Sequence, residues 1–156
     1  DPEMSRGLGD VYKRQVKKDK PGACVVGADT IVRLDGEIIG KPRDPEDAVS
    51  ILKKLSGKTH TVYTGVAVLT DQGCDVCHDT TEVTMEAIPE ADIRAYVASG
   101  EPLDKAGAYG IQGPAAVFVK RVEGCYFTII GMPMHKLYHM LAKVGIYPDW
   151  QMAART

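Results

Sequence analysis

Two short motifs place an acidic and a basic side chain beside glycine, the arrangement in this chain most suited to chemistry. The first is Gly27-Ala-Asp-Thr30, and the second, across a short predicted hairpin, is Gly40-Lys-Pro42. We expect residues 23–28 to form a buried strand with Asp29 directly at its end. Ligands of open α/β sheets gather at strand ends, and a carboxylate and an ammonium near glycine-rich backbone suit a metal-bound phosphate substrate. The alternative, from the tetrapeptide alone, is that Asp29 caps a turn.

The composition is that of an ordinary soluble globular protein. The 156 residues, 44% hydrophobic and 26% charged, suffice for one domain with a substantial core. A formal net charge of -2 argues against a nucleic-acid-binding surface. Apolar runs fall short of the roughly 20 residues that cross a membrane, and residues 1–10 lack the apolar core of a signal peptide. We therefore expect a cytoplasmic protein with four reduced thiols: Cys24, Cys74, Cys77 and Cys125.

The predicted elements mix helices with hairpins and indicate a mixed α/β sheet with flanking helices. Turn residues between β-rich segments predict three hairpins, at residues 31–39, 59–86 and 115–130. Caps and apolar spacing predict three helices, between residues 44 and 57, 89 and 100, and 133 and 145. In the last helix we expect Leu137, Leu141 and Val144 to face inward. Residues 101–114 have five glycine or proline breakers and are predicted as a loop, where binding sites are common.

The predicted loop carries a second glycine-rich motif. Its sequence, Glu101-Pro-Leu-Asp-Lys-Ala-Gly-Ala-Tyr-Gly-Ile-Gln-Gly113, taken with the first two motifs, resembles the Maf family of nucleoside triphosphate pyrophosphatases. Further matching segments are Leu55-Ser-Gly57, Thr81-Glu-Val83 and Gly131-Met-Pro133, and the resemblance runs from about residue 16 to residue 144. It implies a fold like that of the inosine-triphosphate pyrophosphatases, with a cleft between two lobes. It also implies hydrolysis between the α- and β-phosphates of dTTP and UTP, with Mg²⁺ or Mn²⁺.

The resemblance implies roles for four charged residues. Asp29 would be the base, or would hold the metal that lowers the pKa of the attacking water. Lys41 would supply a positive charge for the triphosphate. Lys105 and the neighbouring Asp104 would contact phosphate and metal. Without the flanking motifs, the simpler interpretation of Lys41 and Lys105 is two solvated surface lysines.

Two uncharged residues are candidates for contacts with the nucleoside. The Gln112 amide both donates and accepts, which matches the N3–H and O4 edge of uracil or thymine. Thr30 would orient the base or the sugar. For both residues the local alternative is a hydrogen bond to the nearby backbone.

The sequence departs from the family pattern before residue 16. Family members begin with a strand and a Ser-x-Ser-Pro-Arg-Arg phosphate-binding loop, which this chain lacks. We therefore expect residues 1–15 to be a non-native or disordered leader, residues 16–148 a single truncated domain and residues 149–156 a tail. An inactive nucleotide-binding remnant is the alternative to an active enzyme. A homodimer is a further expectation, with neither nucleic acid nor membrane as partner.

Two other motifs resemble a haem-attachment site and a metal site, but both have simpler explanations. Cys74-Asp-Val-Cys77-His78 has the spacing of c-type haem attachment, but it lies in a predicted strand, where side chains three apart point to opposite faces. His135 and His139 are four apart on the last predicted helix and could share a metal. Without a third ligand nearby, two ordinary histidines are the better interpretation.

Overall fold

The computed structural model describes residues 22–155 and confirms the mixed α/β fold. Its strands form one sheet in the order β2-β1-β3-β4-β5. The strands are β1 (Val25–Leu34), β2 (Glu37–Ile39), β3 (Thr59–Thr70), β4 (Gly73–Met85) and β5 (Val119–Glu123).

Five helices and three single 3₁₀ turns accompany the sheet in this part of the chain. The helices are α1 (Pro45–Leu55), α2 (Glu90–Ala98), α3 (Tyr126–Ile129), α4 (Met134–Lys143) and α5 (Asp149–Arg155). The predicted loop contains the 3₁₀ turns Glu101–Asp104 and Ala106–Ala108, and a third, Pro114–Phe118, follows it. Helix α5 lies in the segment predicted as a tail. None of the helices between residues 22 and 155 has the length and apolar character needed to cross a membrane.

Strand β1 is longer than predicted, and this changes the position of Asp29. The strand continues from Val25 through Asp29 to Leu34, so Asp29 lies within a strand and not at its end. The prediction was wrong because no glycine or proline follows Asp29, and the β-branched residues after it extend the strand.

The next two elements follow their sequence signals closely. Asp35 and Gly36 have φ values of 49° and 81°, as a two-residue type I′ hairpin requires, and Leu34 pairs with Glu37. Helix α1 begins after Asp44, whose carboxylate accepts a hydrogen bond from the Asp47 N–H at 2.7 Å. The apolar face of α1 is buried as predicted.

The described residues form two compact units, each with its own apolar core. The first comprises residues 22–29, 65–79 and 132–155, and the second comprises Thr30–Thr64 and Thr80–Gly131. Buried residues of the first core are Val66, Val68, Leu137 and Met140. The second core is larger and joins α1, α2 and the predicted loop; its most buried members include Val32, Leu52, Leu55, Val62, Val83, Met85 and Ile93. All the candidate site residues except Asp29 belong to the second unit.

The predicted hairpin at residues 115–130 was wrong in both halves: its first strand begins only at Val119, after the 3₁₀ turn Pro114–Phe118, and its second strand is absent. Strand β5 pairs with β4 through partners such as Val83 and Val122, but residues 126–129 form the short helix α3. Their aromatic and β-branched composition favours a strand. Their backbone instead bonds to threonine side chains, because Thr64 donates to the Thr128 carbonyl and Thr81 to the Cys125 carbonyl, each at 2.7 Å. These tertiary contacts outweigh the local preference.

Helix α4 packs by a slightly different face from the predicted one. Leu137 is buried as expected and Leu141 is half-buried, but Val144 is 37% exposed and Met140 takes the inner position. The prediction for Val144 was wrong because the helix ends at Lys143, one residue before it.

A buried histidine links β3 to the glycine-rich loop within the second unit. His60 is 1% exposed, and its Nε2 lies 2.7 Å from the hydroxyl oxygen of Tyr109. Among the buried side-chain nitrogen and oxygen atoms of residues 22–155, His60 Nδ1 is the one that lacks a hydrogen-bond partner. Burial lowers the pKa of His60 from 6.5 to about 4, because a charged ring would lose its hydration. His60 is therefore neutral at pH 7.

The His60 pKa predicts a loss of stability in mild acid. The unfolded chain takes up a proton near pH 6.5 and the folded chain only near pH 4, so the contribution is complete above pH 6.5 and lost between these values. At about 1.4 kcal/mol per pH unit, the free energy of unfolding should fall by at most about 3.5 kcal/mol. Urea unfolding of the wild type and of His60→Phe between pH 4 and 7.5 measures this. Equal pH slopes in the two proteins would contradict the assignment.

Candidate active site

The Lys41 motif and the glycine-rich loop lie side by side in the second unit. The Gly107 N–H donates to the Gly40 carbonyl at 3.2 Å. Gly107 has a φ of 75°, and an added Cβ would lie 3.0 Å from Val32 Cγ2, so both the backbone and the space require glycine here. This hydrogen bond places exposed Lys41, directly after Gly40, next to the loop.

Three charged side chains come together at this junction. The Lys105 ammonium donates to Asp104 Oδ1 and to the Glu101 carbonyl, each at 2.9 Å. The Lys105 hydrogen bond is the main reason that the pKa of Asp104 lies below its usual range, and the Lys41 charge adds to the effect. Lys41, Asp104 and Lys105, three residues predicted from sequence, are thus neighbours with a net charge of +1, which suits a phosphate group.

A buried tyrosine anchors the same loop from helix α2. The Tyr96 hydroxyl donates to Glu101 Oε1 at 2.9 Å and accepts from the Gly110 N–H at 3.1 Å. Burial is the main cause that raises the pKa of Tyr96 to about 12. The hydroxyl therefore keeps its proton at neutral pH and remains able to donate.

Gln112 lies at the corner of a turn at the end of the loop. The Gly113 N–H donates to the Gly110 carbonyl at 3.2 Å, which closes the turn around Ile111 and Gln112. Ile111 is half-buried and contacts the core, whereas Gln112 is exposed. The amide of Gln112 is accordingly presented to solvent by a turn with fixed ends.

The half-buried side chain of Thr30 is hydrogen-bonded to the buried hydroxyl group of Thr64. Its Oγ1 lies 2.9 Å from Thr64 Oγ1, and the Thr64 hydroxyl donates to the Thr128 carbonyl at 2.7 Å. Because Thr64 has one proton and a carbonyl only accepts, Thr30 must donate to Thr64. This hydrogen bond fixes Thr30 in β1. Asp29, the preceding residue of the same strand, is exposed.

The carboxylates suit a hard cation that shares its coordination with substrate. Among residues 22–155, no three histidine, cysteine, aspartate or glutamate side chains converge into a cage. Mg²⁺ needs no such cage, since it is commonly held by one or two carboxylates together with substrate phosphates. Asp29 and Asp104 offer oxygen ligands of that kind, and both are exposed.

The cysteine and histidine motifs have structural explanations. The four cysteines, all of which lie between residues 22 and 155, form no disulfide bond. Cys77 packs against Met140 with its Sγ 3.3 Å from the Met140 Sδ, whereas Cys74 is exposed. His135 and His139 stack edge to face on α4 at 4.7 Å between ring centroids, and both are exposed.

Sequence reasoning missed the residues that hold the loop in place. Tyr96, Glu101, His60 and Tyr109 received no role, although Glu101 and Tyr109 lie inside the recognised motif. A tyrosine or histidine in an apolar pattern looks like ordinary core. The available signal was that a buried hydroxyl or imidazole requires a polar partner, and the glycine-rich motif supplies polar groups.

The threonine chain predicts a measurable cost for removing one hydroxyl. Thr64→Val keeps the side-chain shape but leaves the Thr128 carbonyl and the Thr30 hydroxyl without this partner. We expect a loss of about 1–3 kcal/mol in the free energy of unfolding, measured by urea denaturation. Thr61→Val, on the same strand and half-buried, is the matched control and should cost less. Equal losses would show that the hydrogen-bond chain contributes nothing particular.

Comparison with known proteins identifies the family. The family model "Maf-like protein" matches residues 7–144, beginning nine residues before the start suggested by the motifs. The dTTP/UTP pyrophosphatase of Bacillus pumilus is 43% identical over 94% of this chain and 77% of its own length. The dTTP/UTP pyrophosphatase of Pelotomaculum thermopropionicum is 50% identical over 79% of this chain and 65% of its own length. The dTTP/UTP pyrophosphatase of Aquifex aeolicus is 47% identical over 91% of this chain and 75% of its own length. The chain thus spans between 65% and 77% of the length of these relatives. On these matches, the chain belongs to the Maf-like protein family.

Proposed function

We propose that this chain hydrolyses dTTP and UTP to the nucleoside monophosphate and pyrophosphate. The observation that carries the proposal is the junction of the Lys41 motif with the glycine-rich loop, which brings two lysines together beside an exposed carboxylate. The names of the similar proteins supply the substrate class. Three such charges can hold a triphosphate, whereas a protein with a purely structural role has no need to gather them.

The lysines act on the phosphate groups. Lys41 is exposed and flanked by Gly40, so both its ammonium and the nearby backbone are accessible to a phosphate. Lys105 is held by Asp104 and by the Glu101 carbonyl, which orients its ammonium before substrate arrives. Charge-assisted contacts of this kind contribute about 1.5–3 kcal/mol each, and they neutralise the charge on the departing pyrophosphate.

Asp29 is the proposed general base. Its carboxylate accepts a proton from water as the water oxygen attacks the α-phosphorus, and the bond from that phosphorus to the bridging oxygen breaks. The bridging oxygen leaves with the pyrophosphate. Asp29 and Asp104 are each proposed as a carboxylate ligand for Mg²⁺ or Mn²⁺, which would supply charge neutralisation and a more acidic water.

Gln112 is the proposed contact for the pyrimidine ring. Its amide offers one donor and one acceptor to the O4 and N3–H groups. Thr30, fixed by Thr64, is proposed to orient the base or the sugar. A cytoplasmic location and a homodimer remain predictions.

Asp29→Asn is the first test of the mechanism. The substitution keeps the shape of the side chain but removes its ability to take a proton, so we expect pyrophosphate release from dTTP and UTP to fall by about 10²–10⁴-fold. Asp35→Asn, at an exposed turn position that tolerates asparagine, is the matched control and should retain full activity. Equal activity of Asp29→Asn and wild type would remove Asp29 from the mechanism.

Assays of the wild-type protein distinguish an active enzyme from a nucleotide-binding protein without activity. Release confined to dTTP and UTP, against CTP, ATP and GTP, supports the proposal. Thermal stabilisation by dTTP and UTP without pyrophosphate release would instead identify a nucleotide-binding protein that has no turnover.

Lys41→Gln tests the phosphate contact. Losing about 1.5–3 kcal/mol of charge-assisted binding should lower kcat/KM for UTP by roughly 10- to 150-fold. Lys58→Gln, another exposed lysine of the second unit, is the control and should behave as wild type. Steady-state kinetics of both variants measure this effect, and an unchanged kcat/KM in Lys41→Gln would show that Lys41 does not bind the phosphate groups.

A further inference from the structure

The carboxylate of Glu101 lies against both ends of the turn that carries Gln112. An ideal Cβ added to Gly113 would be 2.4 Å from Glu101 Oε1 and 2.7 Å from Oε2. A Cβ added to Gly110 would be 3.3 Å from the same Oε1. The turn from Gly110 to Gly113 therefore rests on the side chain of the first residue of the loop.

The backbone of Gly113 does not itself require glycine, and the atoms nearest to an added side chain would be those of the Glu101 carboxylate. Its φ and ψ are −103° and −156°, an extended conformation open to any residue. Gly107 differs, because its φ of 75° would disfavour a side chain in any surroundings. The close approach at Gly113 is thus a specific contact between the turn and the Glu101 carboxylate.

One hydroxyl group joins the carboxylate to the turn. Tyr96 donates to Glu101 Oε1 at 2.9 Å and accepts from the Gly110 N–H at 3.1 Å. Tyr96 is 6% exposed, and its ring packs edge to face against Phe118 at 6.1 Å between centroids. The hydroxyl therefore occupies a fixed point in the core of the second unit, to which the exposed turn is attached.

We propose that Tyr96 and Glu101 are positioning residues that hold the Gly110–Gly113 turn so that Gln112 meets a pyrimidine base. The inference rests on the proposed function and deepens it, because it assigns base recognition to two residues that do not touch the substrate. The Lys105 ammonium, proposed to bind phosphate, is held by the backbone carbonyl of Glu101, which side-chain substitutions leave in place. The aliphatic part of Lys105 also lies beside the turn, since a Cβ added to Gly110 would be 2.8 Å from Lys105 Cε.

The turn is held by the side chains of Tyr96 and Glu101, whereas the Lys105 ammonium is held by a backbone carbonyl. Affinities for ligands with and without a base therefore test the proposal. UTP engages the turn through its base, whereas inorganic tripolyphosphate offers phosphates alone. Tyr96→Phe removes one hydroxyl, worth about fivefold in affinity for a typical hydrogen bond. We expect its dissociation constant for the non-hydrolysable α,β-methylene analogue of UTP to rise about fivefold, and that for tripolyphosphate to stay within about twofold, by titration calorimetry with Mg²⁺.

Gly113→Ala approaches the same contact from the other side. The added methyl group must displace the Glu101 carboxylate, so UTP affinity should fall as in Tyr96→Phe. In a Glu101→Ala background the space is open, and adding Gly113→Ala should cost less than it does in the wild type. This non-additive rescue is a readout that general destabilisation would not produce.

The outcomes separate the inference from the reaction. A wild-type protein that binds UTP more tightly than tripolyphosphate but releases no pyrophosphate overturns the proposed reaction and leaves the inference standing. Unchanged UTP affinity in Tyr96→Phe and Gly113→Ala overturns the inference alone. An equal loss for UTP and tripolyphosphate also overturns it, since the residues would then be merely structural. No preference for UTP over tripolyphosphate in the wild type also overturns the inference, while pyrophosphate release alone decides the proposed reaction.

Discussion

The hydrogen bond between His60 and Tyr109 is the interaction on which the glycine-rich loop depends. It joins the middle of the loop to β3 through two side chains that are almost fully buried. Neither could remain there unpaired without a desolvation cost, so the pair fixes where the loop enters the core. From that point the chain turns back toward the Gly40 carbonyl on one side and toward α2 on the other.

The consequence is a loop with few regular hydrogen bonds but a defined shape. Short 3₁₀ turns replace a long helix or strand. The Gly107 and Gly110 N–H groups are satisfied from outside the loop, by the Gly40 carbonyl and the Tyr96 hydroxyl. Exposed Lys41 and Gln112 therefore project from well-held backbone, although neither is buried. A rigid scaffold beneath an exposed side chain is the usual way in which proteins combine access with orientation.

Local sequence rules predicted the elements whose causes are themselves local. The Asp35-Gly36 turn and the Asp44 cap depend on neighbouring residues, and both form as expected. Helix α3 could not be predicted in this way, because threonines far away in sequence bind its carbonyl groups. The charged residues of the candidate site were recognisable by motif. Their support was not, since a buried tyrosine and a loop glutamate show their partnership only once the fold is known.

The two glycines of the loop constrain its evolution in different ways. Gly107 is fixed by the handedness of its own backbone, so no change elsewhere makes another residue comfortable there. Gly113 is constrained only by the Glu101 carboxylate. A lineage in which residue 101 first became shorter would be free to elaborate residue 113, whereas the reverse order passes through a crowded intermediate. The order of substitution, and not only the final pair, decides whether that route is open.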